Sequence, residues 1–250
     1  MYVGSLVLFF IVGTIFGSFF NVVGIRLPKK HPFITGRSIC AGCCRTLKSY
    51  ELIPVLSYLL QRGKCRHCNI TISPHHIWIE IAAGVLFSFS FYQIGWQLEL
   101  MIALLFISML LIIVVTDIVY MMIPDSILLF FLPLFILLRF VQPLPLWYDS
   151  LLGAGVGFGI LCLLIICSKG GMGAGDMKLF ALIGIVLGTG NTILTLFIAS
   201  LFGAIGGSFY LYRLKTSRKH PIPFGPYIVA AAILCYFSGS FMWEAYFRLF

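Results

Sequence analysis

Leu98-Glu-Leu-Met-Ile-Ala-Leu-Leu-Phe-Ile-Ser-Met-Leu-Leu-Ile-Ile-Val-Val-Thr116-Asp117-Ile-Val119 decides the fold. Only Glu99 near its start and Asp117 near its end can ionise. Coiled as a helix, residues 98–119 extend about 33 Å, enough to cross a hydrocarbon layer of about 30 Å. The same pattern recurs at residues 3–25, 77–95, 124–141, 150–168, 178–189, 192–212 and 226–247. The breaks are short: Gly95-Trp96-Gln97, Gln142-Pro143-Leu144-Pro145, a glycine-rich turn over 169–176, a tight turn at Gly188-Thr189-Gly190-Asn191 and a basic loop over 213–226. No repeat and no low-complexity tract is evident.

Composition agrees. Of the 250 residues, 60% are hydrophobic and 10% charged, and the mean hydropathy is +1.05. A soluble domain carries about 25% charged residues. A soluble globular enzyme, a disordered chain and a disulfide-stapled secreted domain are excluded. The expected fold is an all-α polytopic membrane protein of about eight transmembrane helices, with a cytosolic Cys-rich loop between helices 1 and 2. It divides into a first helix at 1–25, a polar loop at 26–76 and a seven-helix core at 77–250. No basic segment precedes the first apolar run, so a retained helix is expected there rather than a cleaved signal peptide.

Charge orients the chain. Nine of the 17 Lys and Arg residues fall between Arg26 and Arg66, with Glu51 as the one acid there, and four more lie in Arg213–Lys219. If loop 26–76 is cytosolic, alternation puts 15 of the 17 basic residues on that side and leaves Arg139 and Arg248 opposite. Basic residues collect in cytoplasmic loops, so the N-terminus is expected outside. These clusters read as topology determinants. The expected partner is the lipid bilayer, and no nucleic acid is expected.

Two of the eight acids sit where acids are costly. A carboxylate at the centre of a membrane helix costs about 2.5–3.5 kcal/mol, less near the interface, and marks a functional candidate. Asp117 ends an inward-running helix and Asp176 opens an outward-running one. Both therefore fall at the cytosolic edge. Two carboxylates at about 3 Å cannot both ionise; one then activates water while the other polarises a carbonyl, the chemistry of an aspartic protease. The plainer readings are that Asp176 is a helix N-cap and that Asp117 is a lone carboxylate meeting water. Asp125 after Pro124 suits a helix start. Glu80 enters the membrane early, and the sequence offers it no partner. With Asp117 and Asp176 it suggests an alternative, a small transporter with a proton or ion relay. Gly171-Met-Gly173-Ala-Gly175-Asp176-Met-Lys178 lacks the residue order and preceding strand of a phosphate-binding loop.

Cys40-Ala-Gly-Cys43 and Cys65-Arg-His-Cys68 are two CxxC pairs 21 residues apart. That spacing is close to structural zinc sites, where two pairs of thiolates close a tetrahedron. Zinc on Cys40, Cys43, Cys65 and Cys68 is expected, with Cys44 and His67 as possible substitutes in the ligand set. Four protein ligands leave no open position for catalysis. A cytosolic location disfavours disulfides. Cys162, Cys167 and Cys235 lie in spans and read as packing residues.

In order along the chain, several motifs resemble one family, the type IV prepilin leader peptidases. They are Gly17-Ser18-Phe-Phe-Asn21 through Arg26-Leu-Pro28; Ser38-Ile-Cys40-Ala-Gly-Cys43; Glu51-Leu-Ile-Pro54-Val-Leu-Ser57-Tyr58; Gly63-Lys-Cys65-Arg-His-Cys68 with Ile72-Ser73; Asp117 with Ile123-Pro124-Asp125; Gly173-Ala-Gly175-Asp176-Met-Lys178; and Pro223-Phe224-Gly225-Pro226. The resemblance implies cleavage of the leader of prepilins or pseudopilins on the cytosolic side after a Gly, with Asp117 and Asp176 as the catalytic pair. It also implies methylation of the new N-terminus with S-adenosylmethionine, for which no binding motif stands out. The compact loop resembles the competence and pseudopilus branch.

Overall fold

The computed structural model of the chain describes residues 2–32, 38–40, 42–168, 173–214 and 223–248, without the side chains of Ser49 and 210–214. Parts of the predicted glycine-rich turn and of the predicted basic loop 213–226 lie outside the described residues. Every regular element described is a helix. Eight α-helices follow in order: α1 (Tyr2–Arg26), α2 (Leu56–Leu60), α3 (His75–Ile94), α4 (Leu98–Tyr120), α5 (Asp125–Val141), α6 (Asp149–Cys167), α7 (Ala174–Leu214) and α8 (Gly225–Phe247), with a 3-10 turn at Ser49–Leu52. Six of these, α1, α3, α4, α6, α7 and α8, are long and apolar enough to cross a membrane. The all-α polytopic class is as expected. The chain divides into two compact units, residues 1–115 and 116–250.

In the first unit, small residues let α1 and α3 approach closely. A Cβ on Gly13 would stand 2.5 Å from the Ala83 carbonyl oxygen, and one on Gly17 would stand 2.8 Å from the Glu80 Cα. Apolar tails give helices no hydrophobic reason to associate in lipid, so close van der Waals packing and buried polar links take that role. The links are present: the Asn21 amide donates to the Gly17 and His76 carbonyls at 3.2 and 3.1 Å. Phe9 stacks on Phe91 with ring centroids 4.7 Å apart.

Between α1 and α3 the chain folds into two matching knuckles. The Cys44 N–H donates to the Cys40 carbonyl and the Cys40 N–H to Arg45; likewise Asn69 donates to Cys65 and Cys65 to Ile70. Single antiparallel bridges, Ile39 with Thr46 and Lys64 with Thr71, close each one. Cys44 and Asn69 both take left-handed backbone, at φ 53° and 54°. Residues 38–47 and 63–72 thus form a short repeat. The sequence reading found none, because only the cysteines and the threonines Thr46 and Thr71 coincide in identity.

In the second unit α7 departs from expectation. Its 41 residues would run about 61 Å, twice the hydrocarbon thickness. The predicted tight turn over Gly188–Asn191 is instead a break at one residue, Gly188, with φ 76° and ψ 176°. Backbone groups freed inside a membrane must find partners. Arg139, buried in α5, donates to the Val186 carbonyl at 2.6 Å before the break. Asp149 accepts the Thr189 N–H at 3.1 Å after it. Thr192 Oγ1 donates to the Gly188 carbonyl at 2.6 Å. One residue suffices because side chains of α5 and α6 replace the lost turn. Glycines again set the packing: a Cβ on Gly157 would stand 2.5 Å from the Phe180 carbonyl oxygen of α7.

Replacing Gly17 by Leu is expected to lower stability by about 1–3 kcal/mol or more, the cost of overpacking. Gly155→Leu, where a Cβ meets nothing within 4 Å, is expected to be nearly neutral. Thermal unfolding of the detergent-solubilised protein checks both.

Candidate catalytic site and metal centre

Asp117 lies in the last turn of α4, within the second unit, and is buried. Its Oδ2 accepts the backbone N–H of Gly225 at 2.7 Å. Gly225 opens α8, so the carboxylate meets the positive end of that helix. The residue must be glycine: a Cβ there would stand 2.7 Å from Asp117 Oδ2 and 2.9 Å from its Cγ. The Pro-Phe-Gly-Pro stretch, known from the sequence only as a motif, is what seats Asp117.

Asp176 is the third residue of α7 and half-buried. It is not the N-cap. The helix starts at Ala174, so the capping position is Gly173, whose amide engages the Asp176 carboxylate while its carbonyl accepts the Asp176 N–H at 3.1 Å. An acid reaching back to the cap in this way forms half of a capping box. Gly175 lets the turn lie close to Ile123, where a Cβ would stand 3.0 Å from the Ile123 Cβ. The Asp117 carboxylate is near enough to Asp176 for Asp176 to feel its charge. Asp117 thus lies within electrostatic reach of Asp176 and is not a lone carboxylate.

Asp125 is not only a helix start. Lys178 Nζ grips both its oxygens, at 2.8 and 2.7 Å. This pair ties the first turn of α5 to the turn of α7 that carries Asp176. Both side chains are partly exposed, so the pair contributes at most about 1 kcal/mol to stability; its value is geometric. The sequence contains both residues but no signal that joins them.

Glu80 does have a partner. It is buried on α3, in the first unit, and accepts the Val55 N–H at 2.7 Å. It is therefore committed to holding the loop onto the helix.

The Cys40, Cys43, Cys65 and Cys68 thiol sulfurs all lie within 4.8 Å of one another, and Cys40 and Cys68 Sγ are 3.7 Å apart. Tetrahedral zinc with bonds of about 2.3 Å to sulfur needs sulfurs about 3.8 Å apart. The donor set therefore fits zinc. The knuckle amides prepare it: backbone N–H groups of Cys43 and Gly42 pull the Cys40 thiol down to about 6, and those of Cys68 and His67 lower Cys65. Cys44 occupies the left-handed position after the knuckle, equivalent to Asn69, and His67 points outward, exposed. Neither belongs to the cluster. Of the remaining cysteines Cys235 is buried in α8 and Cys162 half-buried in α6, while Cys167 is exposed.

The architecture is that of a multi-pass membrane protein with two carboxylates, Asp117 and Asp176, within electrostatic reach at the ends of apolar helices. Residues 11–94 match the Bacterial Peptidase A24 N-terminal domain, and residues 104–208 match the Type IV leader peptidase family. A Bacillus subtilis (strain 168) protein named prepilin leader peptidase/N-methyltransferase is 42% identical over 240 residues, covering 96% of this chain and 97% of that relative. Proteins of the same name from Myxococcus xanthus (strain DK1622) and Stutzerimonas stutzeri are 34% identical over 220 residues and 30% over 264. They match 86% and 94% of this chain, and 65% and 91% of their own lengths. No solved structure matches. The chain belongs to the prepilin leader peptidase/N-methyltransferase family and is a multi-pass membrane protein. The relay alternative built on Asp117, Asp176 and Glu80 is set aside, since the relatives are peptidases and Glu80 is engaged by Val55.

Zinc is expected to co-purify with the protein. Elemental analysis should find it lost from Cys40→Ser and Cys68→Ser and retained in Cys44→Ser.

Proposed function

We propose that this chain cuts the leader peptide from type IV prepilins or pseudopilins at the cytosolic face of the inner membrane, with Asp117 and Asp176 as the catalytic pair. The observation that carries this reading is the seating of Asp117 on the Gly225 amide beside Asp176. The ionised member of the pair takes a proton from water, whose oxygen attacks the scissile carbonyl carbon. The protonated member gives its proton to the carbonyl oxygen. The tetrahedral intermediate then collapses: the carbonyl re-forms, the C–N bond breaks and the departing nitrogen is protonated by the pair. Because the two carboxylates titrate together, neither proton belongs to one residue alone.

Topology supports the cytosolic face. With the N-terminus outside, 15 of the 17 basic residues lie on the cytosolic side, and both aspartates stand at that edge. Eight crossings follow if α5, of 17 residues, spans and α7 counts as two spans about Gly188. The parts are then the first helix at 1–25, the zinc-binding loop at 26–76 and the peptidase core at 77–250. A prepilin's apolar segment can lie in the bilayer beside the enzyme and present its cleavage site at the interface.

Zinc on the four cysteines would be structural, folding a loop that has little apolar core of its own. The family name also carries N-methylation of the new N-terminus, for which S-adenosylmethionine would be the methyl donor.

Asp117→Asn and Asp176→Asn keep shape but cannot exchange a proton. Each is expected to lower cleavage of a prepilin-type substrate by at least about 100-fold while the purified protein stays folded. Retained cleavage in both would defeat the assignment. Gly225→Ala should displace the Asp117 carboxylate and lose a hydrogen bond to a charged group, a loss of roughly 10- to 100-fold in kcat. Initial rates on the same substrate, with KM measured separately, check this.

A further inference from the structure

The segment between the two knuckles carries an apolar surface that the peptidase reading leaves unused. Leu52, Ile53, Leu56, Leu59 and Leu60 are all exposed, from 41% at Leu52 to 74% at Leu60. They recur at helical spacing along the 3-10 turn and α2, and no residue of α2 is buried. Lys48, Arg62, Lys64 and Arg66 flank them in sequence, all exposed. Arg66 and Lys48 also lie over the Tyr50 ring, 5.5 and 5.8 Å from its centre.

This surface is held at a defined level. Val55 takes left-handed backbone, φ 63°, which a β-branched residue rarely adopts. Its N–H is held by the Glu80 carboxylate at 2.7 Å. Glu80 stands five residues into α3, about 7 Å along the axis from the start of that helix. Trp78, on the preceding part of the same turn, is 66% exposed. Tryptophan collects at the headgroup level of a membrane. Val55, and with it the start of α2, is therefore tied to the first turns of α3. A membrane-surface segment buries its apolar face about 5–10 Å into the boundary between headgroups and acyl chains, with Lys and Arg on its polar side.

We propose that residues 52–60 are an interfacial anchor. The leucines insert among the acyl chains, and Lys48, Arg62, Lys64 and Arg66 meet anionic phosphate headgroups. The occupant is lipid because the surface continues an apolar span, lies beside an interfacial Trp and is flanked by cations. The anchor would keep the metal loop pressed to the membrane beside α3. It rests on the cytosolic placement of the loop only for the choice of leaflet.

The test is photo-crosslinking of the full-length protein in vesicles of phosphatidylethanolamine and phosphatidylglycerol, with p-benzoylphenylalanine in place of Leu60. The same group in place of Leu163, exposed on the α6 span, is the positive control. Mass spectrometry should find a lipid adduct at both positions. A phosphatidylglycerol preference at Leu60 should fall severalfold in the Lys48→Gln, Arg62→Gln, Lys64→Gln, Arg66→Gln variant. An adduct at Leu163 with none at Leu60 overturns the proposal. So does an adduct at Leu60 with a second copy of the chain or with a pseudopilin, or a headgroup preference that the quadruple variant leaves unchanged. A lipid adduct at Leu60 in a protein whose loop is digested from outside the cell would instead overturn the cytosolic placement and leave the anchor standing.

Discussion

Backbone amides in or beside hydrocarbon must have acceptors, and in this chain the acids supply them. Glu51 accepts the Lys48 N–H at 2.8 Å, Glu80 that of Val55, Asp117 that of Gly225 and Asp149 that of Thr189, while Asp176 is engaged by the amide of Gly173. Each amide lies at a helix start, a helix break or a turn, where no intrahelical partner exists. A carboxylate in such a place is costly unless it is hydrogen-bonded, and an amide is costly for the same reason. Pairing one with the other removes both penalties, so these acids hold five junctions: the starts of the 3-10 turn, α2, α7 and α8 and the break in α7.

This constraint also holds the proposed catalytic pair. Asp117 and Asp176 are attached to two different helix starts, α8 and α7, and each is held by an amide of its own junction. The Lys178–Asp125 pair then fastens the α7 junction to α5. A carboxylate held by a backbone amide loses little conformational freedom on reaction, which is how positioning lowers a barrier. Glycine at 225 leaves the space that the Asp117 carboxylate fills, and glycine at 175 lets the turn approach Ile123.

The metal loop follows the same logic with sulfur in place of oxygen. Its two knuckles direct amides at Cys40 and Cys65, which favours the thiolates of these two, and one cation can join the two turns. Glu80 then attaches this module to a membrane helix through a single backbone N–H.

Legible in the sequence were the class of fold, the bounds of most helices to within two residues, the four clustered cysteines and the location of Asp117 and Asp176 at the ends of apolar helices. These follow from local properties: hydropathy sustained over a helix length, close cysteine spacing and the alternation of spans across a membrane. Tertiary structure alone decided that Gly225 seats Asp117, 108 residues away, that Val55 receives Glu80, that Lys178 grips Asp125, and that Arg139 and Asp149 seal a one-residue break where a turn was expected. Except for the Lys178–Asp125 pair, those partners are backbone groups. Every residue other than proline carries the same N–H, and every residue the same carbonyl, so which one a buried side chain meets leaves no mark in the sequence. Only the folded chain selects it.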